Sequence, residues 1–241
     1  NAGGNIGTVA KLGARGVLGV GLFKQDCGSG CVNNSGGAYY YACAAGSCSA
    51  STMALAQQVG NPVASFATDN NGVLVLLPAV PAAGTTSLSG TLVFGVNTQS
   101  NNTLGGATIY RTDNSGNFST TYQGRTLSAS FLDTGSNGLF FDDSSLPACS
   151  QDSDFYCPTS PTSLSAVNTA ADGSASGTVN FVIVNEQNRD NATVALSVGG
   201  TAGTSLRGAF DWGVPFFFGR RVFVVLENDS VAGAVGPYWA Y

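Results

Sequence analysis

The sequence contains no histidine. This absence excludes the nucleophile systems in which histidine is the base, Ser-His-Asp and Cys-His, and it excludes zinc sites with histidine ligands. It also excludes a pH switch that depends on histidine protonation. Any catalytic chemistry must therefore come from carboxylates, hydroxyls or thiols.

Charged residues and long apolar runs are also scarce. Only 10% of the 241 residues are charged, with 9 Lys and Arg against 14 Asp and Glu, so the formal net charge is −5. Such a chain lacks the basic patch that binds a nucleic-acid backbone, and we expect no nucleic-acid partner. Apolar runs such as residues 73–80 fall far short of the ~18 residues of a membrane helix, so we expect no membrane span.

The six cysteines lie in close pairs within stretches rich in Gly, Ser or Asp: Cys27 with Cys31, Cys43 with Cys48, and Cys149 with Cys157. This pattern predicts three sequence-local disulfides and a secreted, periplasmic or cell-surface protein. An all-cysteine zinc site built from the first two pairs is the alternative, but no further ligand type supports it. We therefore expect no metal and no cofactor.

The sequence pattern predicts a mostly β fold with few short helices. Short runs rich in Val, Phe, Tyr and Thr recur between turn residues, and they predict strands at residues 72–77, 87–94, 108–112, 117–122, 127–132, 177–184, 192–198 and 222–226. Asp113-Asn114-Ser115-Gly116 has the composition of a tight turn and predicts a hairpin. The clearest helix signal covers residues 51–59, which Gly60-Asn61-Pro62 would end.

One motif carries candidate chemistry. Asp133-Thr134-Gly135-Ser136 follows an apolar strand and precedes a second apolar run. Backbone N–H groups and the hydroxyls of Thr134 and Ser136 can hold the Asp133 carboxylate in such a turn and adjust its proton affinity. The tetrapeptide alone is equally typical of an ordinary capped turn.

The residues around this motif strengthen the catalytic interpretation, because the sequence resembles the pepsin-like aspartic proteases in several segments that occur in the family's order. These are the "G-I-L-G-L-G"-like residues 16–21, the helix and connection of residues 51–67, the "G-x-L-x-F-G-G-x-D"-like residues 89–97, the catalytic motif at residues 133–136, and the apolar segment of residues 216–223. A branch of uncharacterised bacterial secreted proteins has still more similar blocks.

The resemblance implies a division of the chain. Residues 1–66 would form the end of an N-terminal lobe and the interlobe connection, and residues 67–241 would form the C-terminal lobe. Asp133 would be a catalytic aspartate, and Phe217-Phe218-Gly219 would cross beside it. Glycine is expected there because this segment must pass close to the Asp133 turn.

The sequence also departs from the family pattern. Arg220 stands where the family has an aspartate, and a first Asp-Thr-Gly and a flap tyrosine are missing, so Asn1 resembles an internal residue of a longer precursor. Aspartic-protease chemistry needs two carboxylates that share one proton. Asp142 and Asp143 are expected at the solvent end of the apolar run and Asp211 in a turn, which makes all three poor substitutes for the second carboxylate.

Three functions are therefore open. The first is an aspartic endopeptidase that acts on peptide substrates only when a second lobe, or a self-associated copy, supplies the other carboxylate. The second is an inactive binding module on the same fold. The third is a structural surface protein, suggested by the many Gly, Ser, Thr and Asn residues and the few charges.

Overall fold

A computed structural model describes residues 8–13, 15–37 and 39–241 and is mostly β. The strands are β1 Tyr40–Ala44, β2 Ser47–Ser51, β3 Gly72–Leu76, β4 Thr91–Phe94, β5 Ile109–Arg111, β6 Phe118–Tyr122, β7 Arg125–Leu132, β8 Leu139–Phe140, β9 Thr162–Thr169, β10 Ser176–Ile183, β11 Gly199–Gly200, β12 Asp211–Trp212, β13 Arg221–Val225, β14 Ser230–Val231, β15 Ala234–Val235 and β16 Tyr238–Ala240. The helices are α1 Val9–Leu12, α2 Ser29–Asn33, and the 3₁₀ helices Leu55–Gln57, Pro62–Ser65, Glu186–Asn188 and Val214–Phe217.

A seven-stranded sheet holds the Asp133 region. Its strand order is β10-β9-β6-β7-β12-β8-β11. Strands β7 and β8 are consecutive in the chain, yet the much later β12 lies between them, parallel to β7 and antiparallel to β8. The turn that joins β7 to β8 therefore sits at the end of an inserted strand.

A five-stranded antiparallel sheet, in the order β4-β3-β13-β16-β5, packs against the first. Its central strands β3 and β13 carry runs of apolar residues that are largely buried. Val73, Val222 and Val224 from this sheet share one apolar cluster with Phe118 and Leu132 from the other. This shared core fixes the two sheets relative to each other.

The helix predicted at residues 51–59 is wrong. Ser51 ends β2 and pairs with Tyr40, and the Met53 N–H donates to the Cys31 carbonyl at 2.8 Å. Only the 3₁₀ turn Leu55–Gln57 remains. Pairing with β1 and with Cys31 of α2 takes up backbone groups that a helix would have used.

Two β predictions also need correction. Asp113 and Gly116 form the expected turn, with the Gly116 N–H donating to the Asp113 carbonyl, but the flanking strands β5 and β6 belong to different sheets. The turn is thus a connection between sheets and closes no hairpin. Residues 192–198 form no strand beyond a bridge between Thr85 and Ala195.

The predicted disulfides are confirmed: Cys27–Cys31, Cys43–Cys48 and Cys149–Cys157. The second bond joins directly opposite residues of β1 and β2. Because these thiols are bonded to each other, they cannot be the thiolate ligands of the zinc alternative.

The predicted lobe boundary and the expected lack of a membrane span concern the chain as a whole. The lobe boundary after residue 66 stays a prediction, although Leu22 and Val63 lie in the same apolar cluster as Val73. Within residues 8–13, 15–37 and 39–241, no helix has the length and hydropathy to cross a membrane.

Candidate functional site

Asp133 lies at the C-terminal end of β7, in a turn that hydrogen bonds both carboxylate oxygens. The Gly135 N–H donates to Asp133 Oδ1 at 2.7 Å, and Ser136 Oγ lies 3.0 Å from Asp133 Oδ2. The Asp133 N–H donates to the Trp212 carbonyl at 3.0 Å, which ties the turn to β12. The carboxylate is therefore held from its own turn and its backbone from the inserted strand.

Asp133, Thr134 and Gly135 line a cavity of about 480 Å³. Residues 17–23 lie along another side, and the remaining wall includes the apolar side chains of Phe217 and Trp239. Asp133 itself is half-buried and Thr134 is exposed. The site thus presents one accessible carboxylate within a mainly apolar cavity, which is the common composition of a small-molecule or peptide site.

A second carboxylate, Asp211, lies close to the first. Ser136 Oγ is 2.6 Å from Asp211 Oδ2 as well as 3.0 Å from Asp133 Oδ2, so one hydroxyl contacts both acids. The expectation that Asp211 lies in a turn is wrong, because Asp211 is in β12 and pairs with Phe131 and Phe140. Sequence reasoning missed this contact, which joins residues 75 positions apart.

Asp211 is buried far more deeply than Asp133. Its exposed fraction is 3%, and its Oδ1 is buried without a hydrogen-bond partner among the described residues. Burial raises the pKa of Asp211 to about 6, the Ser136 hydrogen bond opposes the rise, and the charge of Asp133 adds to it. Asp211 can exchange a proton but cannot touch a substrate in the cavity.

Asp211-Trp212-Gly213 passes close to the Asp133 turn. A Cβ atom on Gly213 would lie 2.0 Å from the Gly138 carbonyl oxygen and 2.6 Å from that of Ser136, and the Val214 N–H donates to Ser136 O at 2.8 Å. Only glycine allows this approach.

Phe217-Phe218-Gly219, the segment predicted for this position, is divided between two places. Phe217 lines the Asp133 cavity. Phe218 instead forms a β-bridge with Leu77, and the Gly219 N–H donates to the Leu77 carbonyl at 3.0 Å. The glycine beside the Asp133 turn is therefore Gly213, six residues before the predicted one.

Stacked aromatic rings hold the Trp212 end of β12. Trp212 stacks on Phe210 at 4.0 Å between ring centroids, and Phe210 stacks on Phe141 at 4.5 Å. The Trp212 indole N–H donates to Thr120 Oγ1 at 3.0 Å, and Thr120 bonds to the buried Asn168. Because these groups are buried and satisfied, they fix the position of β12 and hence of Asp211.

The other carboxylates considered from the sequence lie elsewhere. Asp142 is exposed, as expected, whereas Asp143 is buried, so its predicted solvent position is wrong. Tyr122 and Ser145 donate hydrogen bonds to Asp143, and these bonds together outweigh burial and lower its pKa. Its oxygens are occupied, so Asp143 stabilises the fold and offers no free acid.

A second, larger cavity of about 920 Å³ is lined by the loop of residues 100–107 and by Arg220, Arg221 and Tyr241. It shares no lining residue with the Asp133 cavity and contains no carboxylate or thiol. In the part of the chain that is described, no group of three or more Asp, Glu, Cys or His residues could hold a metal ion. Of these two cavities, the Asp133 cavity is the one lined by a carboxylate, and it is the candidate site.

Burial of Asp211 should make stability depend on pH. The folded protein holds the Asp211 proton up to about pH 6, while an unfolded aspartate releases it near its ordinary pKa of about 3.9. The free energy of unfolding should therefore fall as pH rises from about 4 through 6. Asp211→Asn keeps a donor toward Ser136 and should be more stable than the wild type at pH 8 by roughly 1–2 kcal/mol.

Urea unfolding of the wild type and Asp211→Asn at pH 5 and pH 8 measures this effect. Substitution of the exposed Asp154 by Asn is the matched control and should leave the pH dependence unchanged. Parallel pH dependences for the wild type and Asp211→Asn would contradict the expected burial of the Asp211 proton.

Comparison with known proteins gives a family but no function. The DUF3443 family, described as a protein of unknown function, matches residues 1–241. Neither a curated protein nor a solved structure matches the chain. The family match covers the Asp133 turn, β12 and all three disulfides. The chain therefore belongs to the DUF3443 family.

Proposed function

We propose that this protein is an aspartic-endopeptidase-like hydrolase in which Asp133 is one of the two catalytic carboxylates and a second lobe supplies the other. The observation that carries the proposal is the Asp133 carboxylate itself, held by Gly135 and Ser136 at the wall of a mainly apolar cavity. A carboxylate in fixed geometry beside a cavity can position a water molecule and take its proton.

The close passage of Asp211-Trp212-Gly213 supports the same function. The pepsin-like resemblance requires a segment ending in glycine to cross beside the catalytic turn, and Gly213 makes that approach here. The segment differs from the family pattern because its first position is an acid.

Asp133 needs a partner because a single accessible carboxylate cannot serve as base toward water and as acid toward the scissile carbonyl oxygen at once. In aspartic proteases two carboxyl groups on the order of 3 Å apart share one proton. Asp211 is 3% exposed and cannot reach a peptide in the cavity. The second catalytic carboxylate must therefore approach from the open side of the cavity.

The surface beside the cavity suits a second lobe. Val17 and Leu18, which line the cavity with Asp133, are 81% and 55% exposed, and Val59 is 66% exposed. Val17, Leu18 and Val59 also line an adjoining cavity of about 430 Å³. Grouped apolar side chains of this kind mark an interaction surface.

The three disulfides support a location in an oxidising compartment, where such bonds persist. We place the protein outside the cytosol, as a secreted, periplasmic or cell-surface hydrolase.

Hydrolysis should depend on the second lobe. The monomeric chain of residues 1–241 should not cleave a fluorogenic peptide library between about pH 2 and 7, the range of carboxylate pairs. A form extended upstream of Asn1, or a dimer at high protein concentration, should cleave it with an acidic optimum. If self-association supplies the partner, the rate per protein molecule should rise with concentration.

The same assay separates the alternatives. Cleavage by a verified monomer would show that one chain holds both carboxylates and would contradict the two-lobe proposal. Inactivity of the monomer, the dimer and the extended form on the whole library would favour a binding module, which would then retain peptides without cleaving them.

A further inference from the structure

We propose that Asp211 is a positioning residue for Asp133: as a neutral acid it donates its proton to Ser136 Oγ, so that the Ser136 hydroxyl donates its own hydrogen to Asp133 Oδ2. This inference rests on the proposed function for the importance of Asp133. It assigns Asp211 a role that the sequence motif does not suggest.

Counting protons leads to this arrangement. A serine hydroxyl has one hydrogen to donate and can accept from other donors. Ser136 Oγ lies within hydrogen-bond distance of two carboxylate oxygens, 2.6 Å from Asp211 and 3.0 Å from Asp133. Both contacts can be hydrogen bonds only if one of the two acids carries a proton.

Burial decides which acid carries the proton. An ionised Asp211 would have a buried Oδ1 without a partner and a single hydrogen bond at Oδ2. Such a charge is costly in a buried site, and the group takes up a proton instead. Asp133 is half-buried and has the Gly135 N–H on its other oxygen, so it is the acid that bears the charge.

No basic group competes for the Asp211 proton among the described residues packed around it. Asp133 is the charged group that acts on Asp211 from the turn. On β7 the charged residue is Arg125, at the opposite end from Phe131, where it donates to the Asp142 carbonyl. Strand β8 and the helix Val214–Phe217 contain no charged residue, and Arg207 before β12 is exposed.

The arrangement gives Asp133 a donor on each oxygen while Asp211 stays neutral. Above about pH 6, where Asp211 ionises, the two carboxylates compete for the single Ser136 hydrogen. The Ser136 hydrogen bond to Asp133 is then weakened, and Asp133 gains a negative neighbour. Ionisation of Asp211 thus limits the state in which both Asp133 oxygens accept a full hydrogen bond to acidic pH.

Carbon-13 NMR of aspartate carboxyl groups in the chain of residues 1–241 tests this proposal without any activity assay. The Asp133 signal is assigned by its loss in Asp133→Asn. In the wild type it should show a distinct inflection near pH 6, where Asp211 ionises. Asp211→Asn should abolish that inflection, because the amide donates to Ser136 at every pH.

A pair of Ser136 variants separates the hydroxyl's role from general structure. Ser136→Ala should reduce the inflection of the Asp133 signal, since only the direct effect of charge remains, whereas Ser136→Thr keeps the hydroxyl and should restore it. If Ser136→Ala fails to fold, the comparison of wild type with Asp211→Asn decides alone. An Asp133 signal without an inflection near pH 6 in the wild type, or with the same inflection in Asp211→Asn, would overturn the proposal.

This result is independent of the proposed hydrolase. Coupled Asp133 and Asp211 signals in a protein whose dimer and upstream-extended form are also inert on peptides would contradict the hydrolase alone. Hydrolysis by a protein whose Asp133 signal ignores Asp211 would contradict this inference alone.

Discussion

Replacement of Asp133 by Asn should reduce peptide hydrolysis by the two-lobed or dimeric form at least about a thousandfold. The amide keeps the shape of the side chain and can still accept the Gly135 hydrogen bond at Oδ1. It cannot take the proton of the attacking water, so the loss should appear in kcat, with KM changed little. Initial rates at the acidic optimum, over a range of peptide concentrations, measure both constants.

Asp142→Asn is the matched control for this prediction. Asp142 is exposed, lies just after β8, and accepts a hydrogen bond from the Ala202 N–H at 3.2 Å, a bond that an asparagine side-chain oxygen can also accept. The control should retain the full hydrolysis rate. A rate for Asp133→Asn within tenfold of the wild-type rate would show that Asp133 is not a catalytic residue. Hydrolysis would then take place at another site.

Replacement of Gly213 by Ala should destabilise the fold by about 3 kcal/mol, at the upper end of the usual cost of adding a methyl group to a packed site. The new Cβ would lie 2.0 Å from the Gly138 carbonyl oxygen, and backbone atoms cannot move aside as a flexible side chain can. The φ of Gly213 is −68°, which alanine adopts freely, so the cost comes from the contact and not from backbone conformation. Urea unfolding measures it.

Gly106→Ala is the control for the Gly213 variant. Gly106 is exposed, and a Cβ there would meet no atom within 4 Å, so the free energy of unfolding should change by no more than about 0.5 kcal/mol. A Gly213→Ala protein as stable as this control would mean that β12 passes the Asp133 turn at a greater distance. The Ser136 contact to Asp211 would then also be in doubt, since the same crossing creates it.

The sequence was sufficient for features that depend on neighbouring residues. An aspartate followed two positions later by glycine can accept that glycine's N–H, and Asp133 and Gly135 do so at 2.7 Å. Cysteines four to eight positions apart in turn-rich segments form disulfides, because so short a separation keeps the two thiols close together. The alternating and apolar runs likewise indicated the strands β3, β6, β7, β10 and β13.

Local patterns failed where distant partners compete for the backbone. Residues 51–59 have a helical pattern, but Ser51 pairs within the disulfide-linked hairpin of β1 and β2. The Met53 N–H donates to the carbonyl of Cys31 in α2. The Asp113 turn formed as its composition predicts, while pairing with other strands decided that it joins two sheets. The sequence pattern does not predict strand β9, which buries the polar Asn168 against Thr120 and Tyr241, two partners remote in sequence.

The candidate site likewise has one part that depends on neighbouring residues and one part that depends on distant residues. The sequence by itself determined the Asp133 turn and its two nearest donors, because all of these groups lie within four residues. Only the tertiary structure decided that Asp211 and Gly213 meet this turn, since the insertion of β12 between β7 and β8 is set by strand pairing and by the packing of Trp212 on Phe210. Nothing local in Asp211-Trp212-Gly213 distinguishes an aspartate in a solvated turn from a buried aspartate. The residues that bury Asp211, and so keep it protonated, are remote in sequence.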